Sequence, residues 1–190
     1  MSGLFVTGHV RSGTSMVAGL FAEHGVFFGE CAGPSRINAK GFFENRWLKR
    51  TMHAASQGED WPDPWFDRLL AEGWDGHTTW GAKLMPKWWP HVRPMAPTVI
   101  VRCYRDADAV LASSRAVGWK RSHETIIERH HLMDAIYSEA RDDGACVWSI
   151  YTPDLVAGMY DTIEPAFDAL GLAFHTPVAR AWIDPRLWHH

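Results

Sequence analysis

The stretch with the clearest chemical potential is Gly8-His9-Val10-Arg11-Ser12-Gly13-Thr14-Ser15, set between the apolar run Leu4-Phe5-Val6 and an apolar-periodic segment. The order is strand, glycine-bounded loop, helix start. Two glycines five positions apart let the backbone turn without a Cβ clash, so successive N–H groups can point at one anion. A helix opening at Thr14 adds unpaired N–H groups and the positive end of its dipole. Phosphate, or a group shaped like it, is the expected guest. The loop follows G-x-x-x-x-G-K-[ST] except that Thr14 stands at the lysine position, and the nearby positive charge is Arg11 instead. The plainer alternative is a glycine turn that only joins a strand to a helix.

A second anion site is expected after the strand at 97–103, where Val99, Ile100 and Val101 are β-branched and bounded by Pro97 and by charges. Asp106 is placed to cap a helix running to about Val117, with Gly118 as its stop. Arg105 then lies at the strand's exit and Ser113 about two turns along the helix, a spacing that lets both side chains pinch one anion. Glu44 sits beside aromatics in Gly41-Phe42-Phe43-Glu44. In a poorly hydrated cleft, desolvation favours proton uptake and suits a general base; the alternative is a solvent-facing acid opening the next helix. Lys83 falls at the carboxyl end of a strand expected over 78–84, the end at which open α/β sheets bind ligands. A surface lysine is the alternative there.

Positioning these groups requires parallel strands alternating with helices. Leu4 to Thr7 is apolar at successive positions, as in a central parallel strand. The segment 14–24 carries Met16, Val17, Leu20 and Phe21 at helical spacing, with Gly25 at the C-terminal cap. An extended run follows at 26–28, then a loop over 29–41 long enough to cover an acceptor, and a helix over 46–55. Prolines and glycines break the pattern from 57 to 76, which reads as an insertion covering a sheet edge or the acceptor cleft, with a short helix at 64–71. A long amphipathic helix lies within 119–141, with Ser122 as cap and Ile126, Met133, Ile136 and Tyr137 on its apolar side. His130 and His131 are adjacent on it, face different directions and make poor co-ligands. A strand at 146–151 precedes Thr152-Pro153, read as a capping Thr and first-turn Pro, and an apolar face at Ile163, Phe167 and Leu170 continues to Gly171. The fold class is α/β, a mostly parallel central sheet flanked by helices.

At 190 residues the chain fits one domain spanning 1–190, able to bury an ordinary core. With 46% hydrophobic and 22% charged residues it falls among folded soluble proteins. Lys and Arg number 19 against 22 Asp and Glu, and no basic tract occurs, so nucleic acid is not an expected partner. Cys31, Cys103 and Cys146 have neither disulfide-framework nor zinc spacing. No segment reads as a signal peptide or a membrane span, which makes the cytoplasm the default. Eleven tryptophans are unusual, and Trp61, Trp65, Trp74, Trp80, Trp88 and Trp89 crowd the middle of the chain. Core filling is the plainer explanation, an aromatic wall for an acceptor the sharper one.

Arg11-Ser12-Gly13-Thr14-Ser15 resembles the 5′-phosphosulfate loop of the P-loop sulfotransferases. Gly41-Phe42-Phe43-Glu44 is similar to an element after the first helix of their bacterial members, and Trp80-Gly81-Ala82-Lys83 with Pro86 to another family segment. The eight positions from Arg105 to Ser113 match the family's 3′-phosphate pair, although Arg105-Asp106-Ala107 lacks the usual proline. The 151–172 segment and Trp182-Ile183-Asp184-Pro185 extend the resemblance. It implies a three-layer P-loop NTPase-like fold and a donor, 3′-phosphoadenosine 5′-phosphosulfate (PAPS), whose sulfuryl group passes to a hydroxyl or amine with PAP as product. It implies further that Ser12, Gly13, Thr14, Ser15 and Arg11 bind the phosphosulfate, and Arg105 with Ser113 the 3′-phosphate. Arg11 and Lys83 would be catalytic, with Glu44 as base and Glu30 or His9 behind it. No metal is required. The acceptor is a small molecule or carbohydrate, and the sequence is silent on oligomeric state. The competing readings are a P-loop kinase with Asp106 organising Mg²⁺, and a nucleotide- or carbohydrate-binding module without catalysis.

Overall fold

Six residues without a charged side chain, Gly3–Gly8, form strand β1, buried along its whole length. A strand buried on both faces belongs inside a sheet. β1 pairs in parallel with β2 (Trp80–Lys83) on one side and β3 (Val99–Tyr104) on the other, and β4 (Cys146–Tyr151) pairs in parallel with β3. The order β2-β1-β3-β4 places all four carboxyl ends along one edge. The structure is a computed structural model and describes residues 2–36, 38–57 and 65–188.

Side chains alternate across β1, which gives the sheet two apolar faces. Leu4 and Val6 pack with Val17, Leu20 and Phe21 of α1 (Thr14–Glu23), and with residues of α8 (Glu164–Ala169) and α9 (Thr176–Trp182). Phe5 and Ile100 face Met133, Ile136 and Tyr137 of α6 (His123–Asp142), together with α2 (Arg46–Ala55), α3 (Trp65–Ala71) and α4 (Trp89–Val92). The result is α/β, with helices on both faces of a parallel sheet. α5 (Ala107–Ala116) follows β3 and α7 (Thr152–Val156) follows β4. No helix among the described residues is long and apolar enough to cross a membrane.

Trp65, Trp74, Trp80, Trp88 and Trp89 are core residues of the α6 side, so the middle tryptophans fill space; Trp61 lies outside the described residues. Trp80 meets Trp65 and Phe66 edge-on at 6.4 and 5.6 Å between ring centres. The described part of the 57–76 stretch therefore packs on the β2 edge of the sheet. Trp80 also explains Gly3, where an added Cβ would meet the indole at 2.2 Å. Phe27, in the extended run, makes a parallel bridge to Trp80.

Three local expectations change. Asp106 occupies the cap position of α5 but caps nothing, because its carboxylate accepts the Tyr151 hydroxyl. The helical stretch from 152 is two short helices, parted near Gly158, whose φ is +84°. Thr152 is no cap either: fully buried in the first turn of α7, it donates its hydroxyl to the Ser12 carbonyl at 2.9 Å and reaches the Tyr104 carbonyl at 3.1 Å. One hydroxyl thus ties the loop after β1 to the ends of β3 and β4. Thr152→Val keeps the shape and removes the bond, so we expect a loss of roughly 1–3 kcal/mol, the range for a buried group left unpaired. Denaturant unfolding checks this, and an unchanged midpoint would show that the hydroxyl holds nothing.

Candidate functional site

The loop after β1 is shaped by two different glycine constraints. At Gly8 a Cβ would meet the Cys103 carbonyl oxygen at 2.4 Å and Ser12 Oγ at 2.8 Å, so this glycine serves close approach to β3. Gly13 has φ +86° and is the N-cap of α1, and no side chain caps the helix. The N–H groups of that first turn, at Gly13, Thr14 and Ser15, open on the cleft with the positive end of the dipole behind them. Between the glycines, Arg11 adopts φ +67°, a left-handed conformation costing a non-glycine residue about 1 kcal/mol. Ser12 turns inward: its hydroxyl donates to the His9 carbonyl at 2.6 Å and its N–H to the same oxygen at 3.2 Å. Ser12 therefore holds the loop's shape and offers no N–H to a ligand.

Arg105 and Ser113 are both buried and line the same cleft as the loop. Arg11 Nε donates to Ser113 Oγ at 3.0 Å, joining the two expected anion sites. Burial lowers the pKa of both guanidinium groups, and Arg11 lowers that of Arg105 further. Two cations held close in a poorly hydrated place favour an anion between them. The Arg105 guanidinium also lies 4.5 Å from the ring centre of Trp188.

At the opposite side stands Lys83, almost wholly buried at the end of β2. Its ammonium donates to the Phe42 carbonyl at 2.8 Å, Ser15 Oγ at 3.1 Å and Glu44 Oε1 at 3.1 Å, which uses all three of its donors. The other carboxylate oxygen of Glu44 accepts from Lys49 at 2.8 Å. Burial pushes the Glu44 carboxyl up, but the two ammonium groups outweigh it and hold the pKa below its ordinary value. The expectation that desolvation would make Glu44 hold a proton is thus reversed by its neighbours. Burial pulls the Lys83 ammonium down, opposed by Glu44.

The other base candidates lie elsewhere. Glu30 is exposed and pairs with Arg68 at 3.8 Å. His9 is buried with Nδ1–H donating to the Val10 carbonyl at 2.7 Å, and burial pushes it down to about 4, leaving a neutral ring off the cleft wall.

A cleft of about 310 Å³ gathers Arg11, Gly13, Thr14, Ser15, Glu44, Lys83, Arg105 and Ser113; Ser12 and the alternative bases Glu30 and His9 lie off it. It also contains Arg36, Asn38 and Lys40 from the 29–41 loop, and Trp119, Trp182, Asp184 and Trp188. The loop was expected to shape an acceptor pocket, but its two cations carry no spacing signal of their own. Trp188 has none either, because only the folded chain brings the C-terminal segment over Arg105. Five cations, Arg11, Arg36, Lys40, Lys83 and Arg105, face two carboxylates, Glu44 and Asp184, across this cleft in a protein of net charge −3. Such a local excess selects anionic ligands.

Fold and site define a parallel α/β protein with a cation-rich cleft at the carboxyl edge of its sheet, beside a glycine-bounded loop that opens a helix. No family model matches the chain, and no curated protein matches it.

The electrostatic account of Glu44 is directly measurable. In Lys83→Met the carboxyl loses one of its two ammonium partners while burial still acts, so its pKa rises above the wild-type value. Carbon-detected NMR titration reads this, and a pKa unmoved by the substitution would contradict it.

Proposed function

We propose that the protein is a sulfotransferase, moving a sulfuryl group from 3′-phosphoadenosine 5′-phosphosulfate to a hydroxyl or amine of a small-molecule or carbohydrate acceptor. The observation that carries this reading is the Arg11–Ser113 hydrogen bond at 3.0 Å, which links the loop at an uncapped helix start to the helix after β3, with Arg105 on the same cleft. A donor with phosphate groups at both its 5′ and 3′ positions needs two anion sites at once. The residues present suit it: a half-buried and a buried guanidinium face one cleft, and Arg11 lowers the pKa of Arg105, so an anionic group is favoured there. The three free cysteines suit a reducing cytoplasm.

Gly13, Thr14 and Ser15 bind the 5′-phosphosulfate by their N–H groups, and Arg105 with Ser113 the 3′-phosphate. The bound donor supplies an activated sulfur whose bond to the 5′-phosphate oxygen breaks as the acceptor oxygen or nitrogen bonds to it. The products are the sulfated acceptor and adenosine 3′,5′-bisphosphate. Lys83 keeps its ammonium beside Ser15, and Arg11 would neutralise the charge that builds on the bridging oxygen as the bond to sulfur lengthens. The acceptor's proton passes to the Glu44 carboxylate, the one base candidate on the cleft wall, and then to solvent. No step calls for a metal.

A P-loop kinase is served less well. The Ser15 hydroxyl, which would bind Mg²⁺ in such an enzyme, is bonded to the Lys83 ammonium, and Asp106 is bonded to Tyr151.

Adenosine 3′,5′-bisphosphate should raise the melting temperature at concentrations where ATP with Mg²⁺ does not; the reverse ranking would favour the kinase. Arg105→Ala should weaken the bisphosphate about tenfold or more, as loss of a charge-assisted bond does, and leave 5′-AMP unaffected. Equal losses for both would remove Arg105 from the 3′ site. In sulfuryl-transfer assays Arg11→Ala should lower kcat about a hundredfold with a smaller change in bisphosphate affinity, the size seen for loss of one transition-state donor. A variant that loses affinity alone would take Arg11 out of the chemical step.

A further inference from the structure

The charges of the cleft fall into two groups. Arg11 is bonded to Ser113 and acts on Arg105, and Lys83 is matched by Glu44. Both carboxylates are engaged, Glu44 by Lys83 and Lys49 and Asp184 by Arg186 at 2.9 Å. Arg36 and Lys40 remain, on the loop between α1 and α2; neither forms an ion pair among the described residues, and Asp184, held low chiefly by Arg186, feels Lys40 only at longer range. Neither contributes to the two anion sites assigned to the donor.

The loop that carries them is built. Ser35 and Asn38 exchange backbone hydrogen bonds at 2.9 and 3.2 Å, closing a tight turn around Arg36. The Asn38 side chain donates to the Gly41 carbonyl and accepts the Lys40 N–H at 3.3 Å, which fixes the backbone at Lys40. The Lys40 ammonium donates to the Trp182 carbonyl and sits 4.5 Å from the Trp182 ring centre, while Trp182 Nε1 donates to the Met16 carbonyl at 2.8 Å. Lys40 is thereby tethered to Trp182, itself bonded to α1, with donors to spare. Next along the chain, Phe42 offers its carbonyl to Lys83 and its ring to the cleft, and Leu84 and Met85 line the same side. Met85 is 39% exposed, an apolar surface at the mouth.

We propose that the acceptor is itself an anion: a hydroxyl compound with an apolar body and a carboxylate, the carboxylate held by Arg36 and Lys40 and the body by Phe42, Leu84 and Met85. The hydroxyl then lies toward Lys83 and Glu44. The assignment deepens the sulfotransferase reading and rests on it for the word acceptor, but the anion subsite is a property of the loop alone.

The test uses a matched pair, 4-hydroxyphenylacetate and its uncharged amide, titrated calorimetrically into the full chain saturated with adenosine 3′,5′-bisphosphate. The acid should bind about tenfold more tightly than the amide, the discrimination one charge-assisted hydrogen bond gives. In the double variant R36A/K40A the preference should vanish while the bisphosphate binds as before. Equal binding of acid and amide, including binding by neither, overturns the proposal, as does a preference that survives the double substitution. If the bisphosphate does not bind the wild-type chain, the donor reading fails. The same pair is then titrated without it, and the same outcomes decide the subsite.

Discussion

Removing a cation from water is costly unless dipoles and counter-charges replace the lost hydration, and the carboxyl edge of this sheet does so at Arg11, Lys83 and Arg105. Each is handled differently. Lys83 is surrounded by a carbonyl, a hydroxyl and a carboxylate that fill its three donors. Arg105 has the face of Trp188 beside it. Arg11 has the Ser113 hydroxyl and a strained backbone that turns its side chain toward that partner. Lys83 thus meets a carboxylate in the cleft, whereas the partners of Arg11 and Arg105 described above are a hydroxyl and an aromatic face.

The parallel sheet makes the arrangement possible. Because β1, β2 and β3 run the same way in register, the loop after Gly8, the end of β2 at Lys83 and the exit of β3 at Arg105 meet at one edge. Residues more than ninety positions apart in the chain then share a hydroxyl, as Arg11 and Ser113 do. Thr152 adds a further tie from the strand beyond, clamping the carbonyl of Ser12 from below the loop. The loop is held from inside by Ser12 and His9 and from outside by α7, and its outer N–H groups are left for a ligand.

Much of this was legible in the sequence because it follows local rules. An apolar run, a glycine pair and a helical repeat place β1, the loop and α1. The β-branched run ahead of Arg105 places the second site in the same way. What escaped depends on contacts between distant segments. Ser12 reads as one more loop N–H until the His9 carbonyl is seen to take both its hydroxyl and its amide. Thr152 reads as a cap because a Thr before Pro usually is one, yet the fold brings the Ser12 and Tyr104 carbonyls to its hydroxyl. Glu44 was read from its aromatic neighbours alone, and the sign of its shift reversed when two lysines, one five residues on and one thirty-nine, proved to bracket it. Sequence adjacency carries desolvation better than it carries counter-charge.

The socket at Gly3 has a consequence for how the chain can vary. The Trp80 indole fills the space a methyl at position 3 would need, and the same indole is braced by Trp65 and Phe66 from α3. Neither position can change by itself: any side chain at 3 evicts the ring, and any smaller ring leaves a void under two aromatics. Substitutions at the start of the first strand and on the neighbouring strand should therefore travel together through descent, a correlated pair far from the cleft that reports packing rather than chemistry.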